Sequence, residues 1–340
     1  MDKSWDSTGV SFSADTWYAL ARHMLPGAFG MTYGGARTWH RIAAAIEDAG
    51  LIIHPSIFCW IYATGLHKAA RIDTWIDREN GVYDDREIIE KSTATYGYQK
   101  SGERWAKDHY VTLPASEEAA IWYDYRYGLQ ALRPAVEPVI LFQKPYDGRP
   151  LDSIREYGAG ALYTESGKYN GGKWPTNFLM VHHPLCTESA CHPDCVVLSL
   201  GEKAEYFPAF DWSYNDAELV AYNKKALGQE RKLGIETNVN HPTMKPLSVN
   251  QWLARLLLPP KEYEPRRILV PFGGIMSETI GALLAGWEEI VSVEINEEYT
   301  TPGITRVQWW QGMIKKYGPN VPKIIKAAKE DGVHQLSFDL

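Results

Sequence analysis

The sequence has no uninterrupted apolar run of about 18 residues, so no membrane-spanning helix is expected. It has no basic surplus either: 35 Lys and Arg face 42 Asp and Glu, for a net charge of −7. A nucleic-acid partner usually leaves a basic footprint, so bulk charge does not advertise one. A locally positive cleft on an acidic protein stays compatible with it. Cysteine is scarce, with four in 340 residues. The opening MDKSWDSTG lacks the apolar core and cleavage site of a signal peptide. Four cysteines without a secretion signal point to reduced thiols or metal ligands in the cytoplasm, not to a disulfide framework. What is abundant is apolar and aromatic: 45% hydrophobic residues, 13 Trp and 20 Tyr, enough for a sizeable core in one or two domains.

The most organised stretch is RRILVPFGGIMSETIGALLAGWEEIVSVEINEEY, residues 266–299. Ile268 to Val270 suits a buried strand. Phe272-Gly273-Gly274 breaks it with a turn that lets backbone approach a ligand closely. Ser277 or Glu278 begins a helix that fills with apolar residues and stops at Gly286. Ile290 to Val293 is a second buried strand, ending on Glu294. An acid at the tip of the second strand of such a unit is placed to accept hydrogen bonds from a ribose. The plainer reading is a βαβ half-unit with an incidental glutamate. The glycine pattern is not G-x-G-x-x-G, so provision for a pyrophosphate is weak.

Upstream lies His241-Pro-Thr-Met-Lys-Pro246, then an amphipathic helix over Leu247 to Leu258 whose Trp252, Leu253, Leu256 and Leu257 share a face. HPTMKPLSVNQWLARLLLPP followed by VPFGG…E resembles the C-terminal half of the β-group amino-methyltransferases acting on DNA. Other phrases extend the likeness to phage-type DNA methylases: LPGAFGMTYGGARTWHRIAAAIEDAGLIIHPSIFCWIYATGLHKA, LRPAVEPVILFQKP and GAGALYTESGKYNGGKWPTNFLMVHHP. It covers roughly residues 1–317.

The resemblance implies an α/β fold, a Rossmann-like methyltransferase sheet with an inserted target-recognition region. Residues 1–150 would be the catalytic half, 151–240 the recognition region, 241–317 the cofactor half and 318–340 a tail. It implies S-adenosylmethionine as cofactor. Phe272, Gly273, Gly274, Ser277 and Glu294 would lie at the nucleoside, and His241, Thr243 and Lys245 at the methionine end, with Lys245 facing the carboxylate. The implied substrate is an exocyclic amine of double-stranded DNA, adenine N6 ahead of cytosine N4, on a base flipped from the duplex. Phage and restriction–modification settings, and a homodimer, come with the same likeness.

Three departures accompany it. The family's [DNS]-P-P-[YFW] catalytic motif is absent, since the one Pro-Pro pair is Pro259-Pro260 after Leu258. Similarity running up to Met1 favours a chain that begins inside the family pattern over an inactive, DNA-binding relative. Either way the strand carrying that motif is expected to be missing, with its neighbours left open at the edge. Met276 stands where the family has its second glycine, and Val270 where it often has Asp.

Further expectations concern local structure. Helices are read over Asp15 to Met24, Thr38 to Ala49, Glu117 to Trp122 and Asn215 to Arg231, and strands over Ala28 to Thr32 and Leu51 to Tyr62. Arg71 to Pro114 reads as a polar surface insertion holding a helix, a loop and a second helix. Val136 to Phe142 reads as a buried strand broken by Pro138, which the resemblance would place at the pocket for the flipped base, or more simply as an edge strand with a proline. Pro302-Gly303 is expected to interrupt the last helix. Aromatics around Tyr206, Phe207, Phe210, Trp212 and Tyr214 suit packing, or stacking on bases. Finally, His182-His183-Pro-Leu-Cys186-x4-Cys191-His192-Pro-Asp-Cys195 reads as a closed structural zinc site of Cys186, Cys191 and Cys195 with His183 or His192 fourth, or as three reduced thiols in a turn-rich loop. Cys59, in an apolar run, reads as core.

Overall fold

The computed structural model describes residues 8–61, 68–92, 109–132, 135–168, 172, 174–183, 186, 190–193, 195–207, 209–210, 233–235 and 244–330. His241, Thr243, Trp212, Tyr214 and the helix expected over 215–231 lie outside them. The chain divides into two compact units. One comprises Met1–Ala63, Val136–Ala217 and Lys225–Leu340, and the other Thr64–Ala135 with Glu218–Lys224. In chain order the elements are α1 (Ala14–Ala21), β1 (Phe29–Tyr33), α2 (Trp39–Asp48), β2 (Ile52–Ile53), β3 (Phe58–Ile61), β4 (Lys68–Arg71), α3 (Ile72–Glu79), β5 (Ile88–Ser92), β6 (His109–Thr112), α4 (Glu117–Ile121), β7 (Arg126–Gln130) and β8 (Val136–Gln143). They continue with α5 (Pro150–Tyr157), β9 (Phe178–Val181), α6 (Val196–Leu200), β10 (Ala209–Phe210), α7 (Leu247–Leu256), β11 (Arg267–Val270), α8 (Ser277–Ala285), β12 (Glu289–Ser292), α9 (Glu297–Tyr317) and α10 (Val321–Glu330). No described helix is long and apolar enough to cross a membrane.

The fold is mixed α/β, and β8 is an interior strand of its larger sheet, ordered β1-β8-β3-β9-β10 with β2 also on β8. A strand covered on both faces must be apolar at every position, not at alternate ones, and VILF is. Val139 and Leu141 join Phe58, Trp60, Leu179 and Val181 beneath Val249, Leu253 and Leu256 of α7. Ile140 and Phe142 point the other way, onto Trp17 of α1 and Ile42, Ala45 and Ile46 of α2. The buried-strand reading holds and the edge-strand alternative fails: β8 pairs antiparallel with β1 on one side and β3 on the other. Pro138 is tolerated because it lies opposite Gly34, just past the end of β1, where only its carbonyl is used, accepting from Gly34 N at 2.9 Å.

The second sheet is the parallel pair β11-β12, in register from Arg267↔Glu289 to Val270↔Ser292, with α8 as the crossover. Among the described residues β1 pairs only with β8 and β11 only with β12, so each keeps one open edge. The two sheets are joined through α7 and α8, which cross closely because residue 281 is glycine: a Cβ there would lie 2.5 Å from Asn250 Cβ. Ile280 and Leu284 of α8 then pack with Leu247, Trp309 and Trp310, and with Val321, Ile324 and Ile325 of α10. The segment expected only as a tail thus carries a core helix.

Three further readings are corrected. The run from Leu51 is two short strands, because Pro55 falls between them. The Pro302-Gly303 break does not occur, and α9 runs 21 residues with Pro302 inside it. Cooperative bonding on either side and burial of Trp309 and Trp310 outweigh one lost backbone bond. The second helix expected in the polar insertion is instead β5, paired antiparallel with β6.

That insertion belongs to the second unit, which is held by buried ions. Asp73 and Asp77, one helical turn apart on α3, are fully buried. Arg86 binds both, donating to Asp73 Oδ2 at 2.6 Å and to Asp77, and Arg71 adds a second cation at Asp73. Asp77 also accepts from Ala115 N (2.9 Å), Ser116 N (3.1 Å) and Ser116 Oγ (2.7 Å), which fixes the start of α4. Burial acting alone would raise both carboxyls. For Asp73 the two arginines outweigh it, and for Asp77 the amides and hydroxyl of Ala115 and Ser116 together with Arg86 do so, leaving both below their ordinary value. Their stabilisation is complete above the unfolded Asp value of about 3.9 and is lost as pH falls through the depressed folded values. Hydrogen exchange at residues 68–92 should therefore lose protection on acidification below about pH 4, and Asp77→Asn should cost about 1.5–3 kcal/mol by removing one of the two carboxylates that hold Arg86. Unchanged protection at low pH would contradict this account.

Candidate functional site

The candidate site is the C-terminal end of β11 and β12. Chain leaving β11 turns at Phe272-Gly273-Gly274, and Gly273 N donates to Val293 O at 2.8 Å. This bond draws the turn against the chain leaving β12, where the next acid is Glu294. Its carboxylate is held by two backbone amides: Gly274 N donates to Oε2 at 2.7 Å and Asn296 N to Oε1 at 2.8 Å. A carboxylate has about four lone-pair positions, so each oxygen keeps acceptor capacity. Beside it Ile295 is 93% exposed, in line with the half-exposed Val291 and Val293 at every second position. A fixed carboxylate next to an uncovered apolar side chain suits a ligand with vicinal hydroxyls on one part and a flat apolar face on another.

The third segment reaches the same place. Met244 clusters with Ile275 and Ile235, so the Met-Lys-Pro end of the HPTMKP loop lies against the glycine turn. Lys245 does not face outward. It is buried, with Nζ 2.5 Å from Glu137 Oε1 of β8 and 4.8 Å from the centroid of the Tyr33 ring. Tyr33 in turn donates to Asn250 Oδ1 at 2.7 Å. Burial lowers the Lys245 ammonium to about 8, against the opposing pull of the Glu278 carboxylate. Burial raises Glu278 itself, and raises the Tyr33 hydroxyl well above its ordinary value. The ammonium expected at a cofactor carboxylate is thus committed to Glu137.

Ser277 is likewise committed. It is buried and accepts from Arg306 Nη1 at 2.9 Å, the same nitrogen that donates to Ile275 O at 2.9 Å. Arg306 was not singled out in the sequence. Its signal is a lone arginine one turn before Trp309-Trp310 on the buried side of α9. Phe272 is half-exposed, edge-on to Trp17 with ring centroids 6.5 Å apart.

Met276 is the described non-glycine residue with a left-handed backbone, at φ 62°. The family's second glycine would take that conformation without strain, whereas for an L side chain it costs about 1–2 kcal/mol. The side chain is buried across the turn. A Cβ on Gly273 would lie 2.9 Å from Met276 Sδ, and one on Gly303 would lie 2.8 Å from Met276 Cγ. Methionine therefore fills space that two glycines leave, and walls the inner side of the turn.

Away from this end, Cys186, Cys191 and Cys195 gather with His182, all four ligand atoms lying within 4.8 Å of one another. The expected fourth member was His183 or His192. Those two rings instead stack on each other, 4.1 Å apart and 16° from parallel, because each follows a cluster residue and turns to its other side.

No family model matches the sequence, and no curated protein matches it. Among solved structures, a crystal structure of an M1.HpyAVI–SAM complex is similar over 86% of this chain and 81% of that one, at 10% identity and a TM-score of 0.38. So distant a likeness leaves the reading of the site to its own geometry.

The Lys245–Glu137 pair gives a direct test of the site's frame. Lys245→Met should cost about 3–5 kcal/mol in denaturant unfolding by leaving Glu137 buried without its cation. Adding Glu137→Gln should recover most of that loss. A single-variant cost below about 1 kcal/mol, the range of surface pairs, would show the pair to be solvated.

Proposed function

We propose that the protein binds S-adenosylmethionine at the Glu294 end of the β11–α8–β12 unit and transfers its methyl group to an exocyclic amine of double-stranded DNA, adenine N6 in preference to cytosine N4. The observation that carries this reading is the capture of Glu294 by Gly274 N and Asn296 N. It fixes a carboxylate with spare acceptor capacity at the strand tip, where a ribose is received in α/β nucleoside sites. The HPTMKP and PFGG…E phrases supply the methyl donor's identity through their family resemblance.

The chain's residues fit the nucleoside part of that cofactor. Glu294 would accept from the ribose hydroxyls, the amides of the Gly273-Gly274 turn permit close backbone approach, and Ile295 would lie under the base. They do not offer Lys245 to the methionine carboxylate, because Glu137 holds it. When bound, the cofactor supplies an electrophilic methyl group on sulfonium. The acceptor amine is a weak nucleophile, its lone pair being shared with the ring, and it must be brought out of the duplex. No residue here is assigned to that acceptor. Double-stranded DNA as partner and the cytoplasm of a bacterial or phage-infected cell as setting follow from the same reading.

A second reading is a DNA-binding relative that does not transfer methyl groups. Met276 favours it, since its side chain occupies the inner side of the turn. Calorimetry with S-adenosylmethionine and a labelled-methyl assay on duplex DNA separate the two. Glu294→Ala should abolish cofactor binding, and unchanged affinity would remove the reading. Met276→Gly should bind the cofactor more tightly while lowering thermal stability, because it relieves the left-handed strain but removes a buried side chain. DNA binding with no methyl incorporation in either form would favour the second reading.

A further inference from the structure

We propose that His182, Cys186, Cys191 and Cys195 bind one zinc ion in a closed, structural site that ties the end of β9 to the start of α6. This goes beyond the methyl-transfer reading and stands without it.

The segment is a duplicated pattern. His182-His183-Pro-Leu-Cys186 and Cys191-His192-Pro-Asp-Cys195 share the form [H/C]-H-P-x-C. In each copy the first and fifth residues belong to the cluster. The copies also carry matching backbone hydrogen bonds. Cys186 N donates to His183 O and Cys195 N to His192 O, both at 2.9 Å. They then exchange bonds across the cluster: His192 N donates to Cys186 Sγ at 3.3 Å and His183 N to Cys195 Sγ at 3.4 Å. The stacked rings of His183 and His192 complete this near two-fold arrangement. Four ligand side chains converging on one point, with matching backbone bonds in the two copies and amides directed at two of the sulfurs, form a built site.

The spacing suits zinc. Bonds of about 2.3 Å to sulfur and 2.0–2.1 Å to nitrogen, set tetrahedrally, put ligand atoms about 3.6–3.8 Å apart. His182 Nδ1 already lies 3.4 Å from Cys191 Sγ and 3.5 Å from Cys195 Sγ. The widest pair, within 4.8 Å, needs to close by about 1 Å to meet that geometry. None of the cysteines is in a disulfide. On binding, the ion displaces the protons of three thiols, and neutral His182 gives its Nδ1 lone pair. Three protons leave and the centre carries one negative charge, which the two amide–sulfur bonds offset. Four protein ligands leave no open position, so the role is structural. His182 directly follows β9 and Cys195 caps α6, and the ion therefore closes the loop between them.

The test is metal content and cobalt substitution on the full chain. Protein purified without chelator should carry one equivalent of zinc, and the cobalt-loaded form should show the visible absorption of a tetrahedral thiolate site. His182→Ala and Cys191→Ser should drop zinc to background, while His183→Ala and His192→Ala keep it. Cys191→His, which preserves a ligand, should retain the metal and guards against simple misfolding of the serine variant. The proposal is overturned by zinc well below one equivalent in the unmodified chain, by loss of metal in His183→Ala but not in His182→Ala, or by a disulfide among the three cysteines.

Discussion

Backbone capture of the Glu294 carboxylate is the constraint from which the candidate site follows. A parallel βαβ unit leaves two strand ends side by side, but nothing in that topology decides how the loops beyond them lie. Here the amides of Gly274 and Asn296 close on opposite oxygens of one carboxylate, and Gly273 N closes on Val293 O. Hydrogen bonds to a charged acceptor are stronger than neutral ones, so the turn after β11 and the entry to α9 share one anchor. Arg306 fastens the same turn from the other side through Ile275 and Ser277. A rigid turn is also what allows Met276 to hold a left-handed conformation that it would not choose alone.

The two units solve the same problem differently. The larger one buries two apolar faces of β8 and a helical layer around Trp309 and Trp310. Among the described residues of the smaller, Ala119 is the one buried apolar side chain, and the unit uses a lattice of two arginines and two aspartates, each buried carboxylate receiving several donors. Such a lattice fixes geometry through direction and charge, and it makes the unit sensitive to protonation in a way that an apolar core is not. The Lys245–Glu137 pair is the one place among the described residues of the larger unit where a buried ammonium–carboxylate contact plays a similar part. It links the loop before α7 to the interior strand β8.

Much of this was legible in the chain itself. The β11–α8–β12 unit was marked by apolar runs of the right length, by glycines at the turn and at the α8 stop, and by the acid that follows. The same local signals placed α1, α2, α4 and α7 to within a few residues. Signals failed where a proline or a polar run was taken at face value. Pro138 did not put β8 at an edge and Pro302 did not end α9, because burial on both flanks outweighed one missing N–H. Arg-Glu-Ile-Ile-Glu-Lys-Ser, residues 86–92, has helix-forming residues, but β6 lies within reach to pair with it, and strand preference depends on such neighbours.

Sequence by itself determined the α/β class, the existence of the glycine turn with its acid, and the residue types of a soft-metal cluster, because these rest on periodicity, turn chemistry and composition within short windows. Only the tertiary structure decided which partners the polar side chains take. Lys245 went to Glu137, 108 positions away, Ser277 went to Arg306, and His182 joined the thiols in place of His183. Each of those choices turns on which side chain faces which across a packed interface, and a linear order of residues does not encode facing.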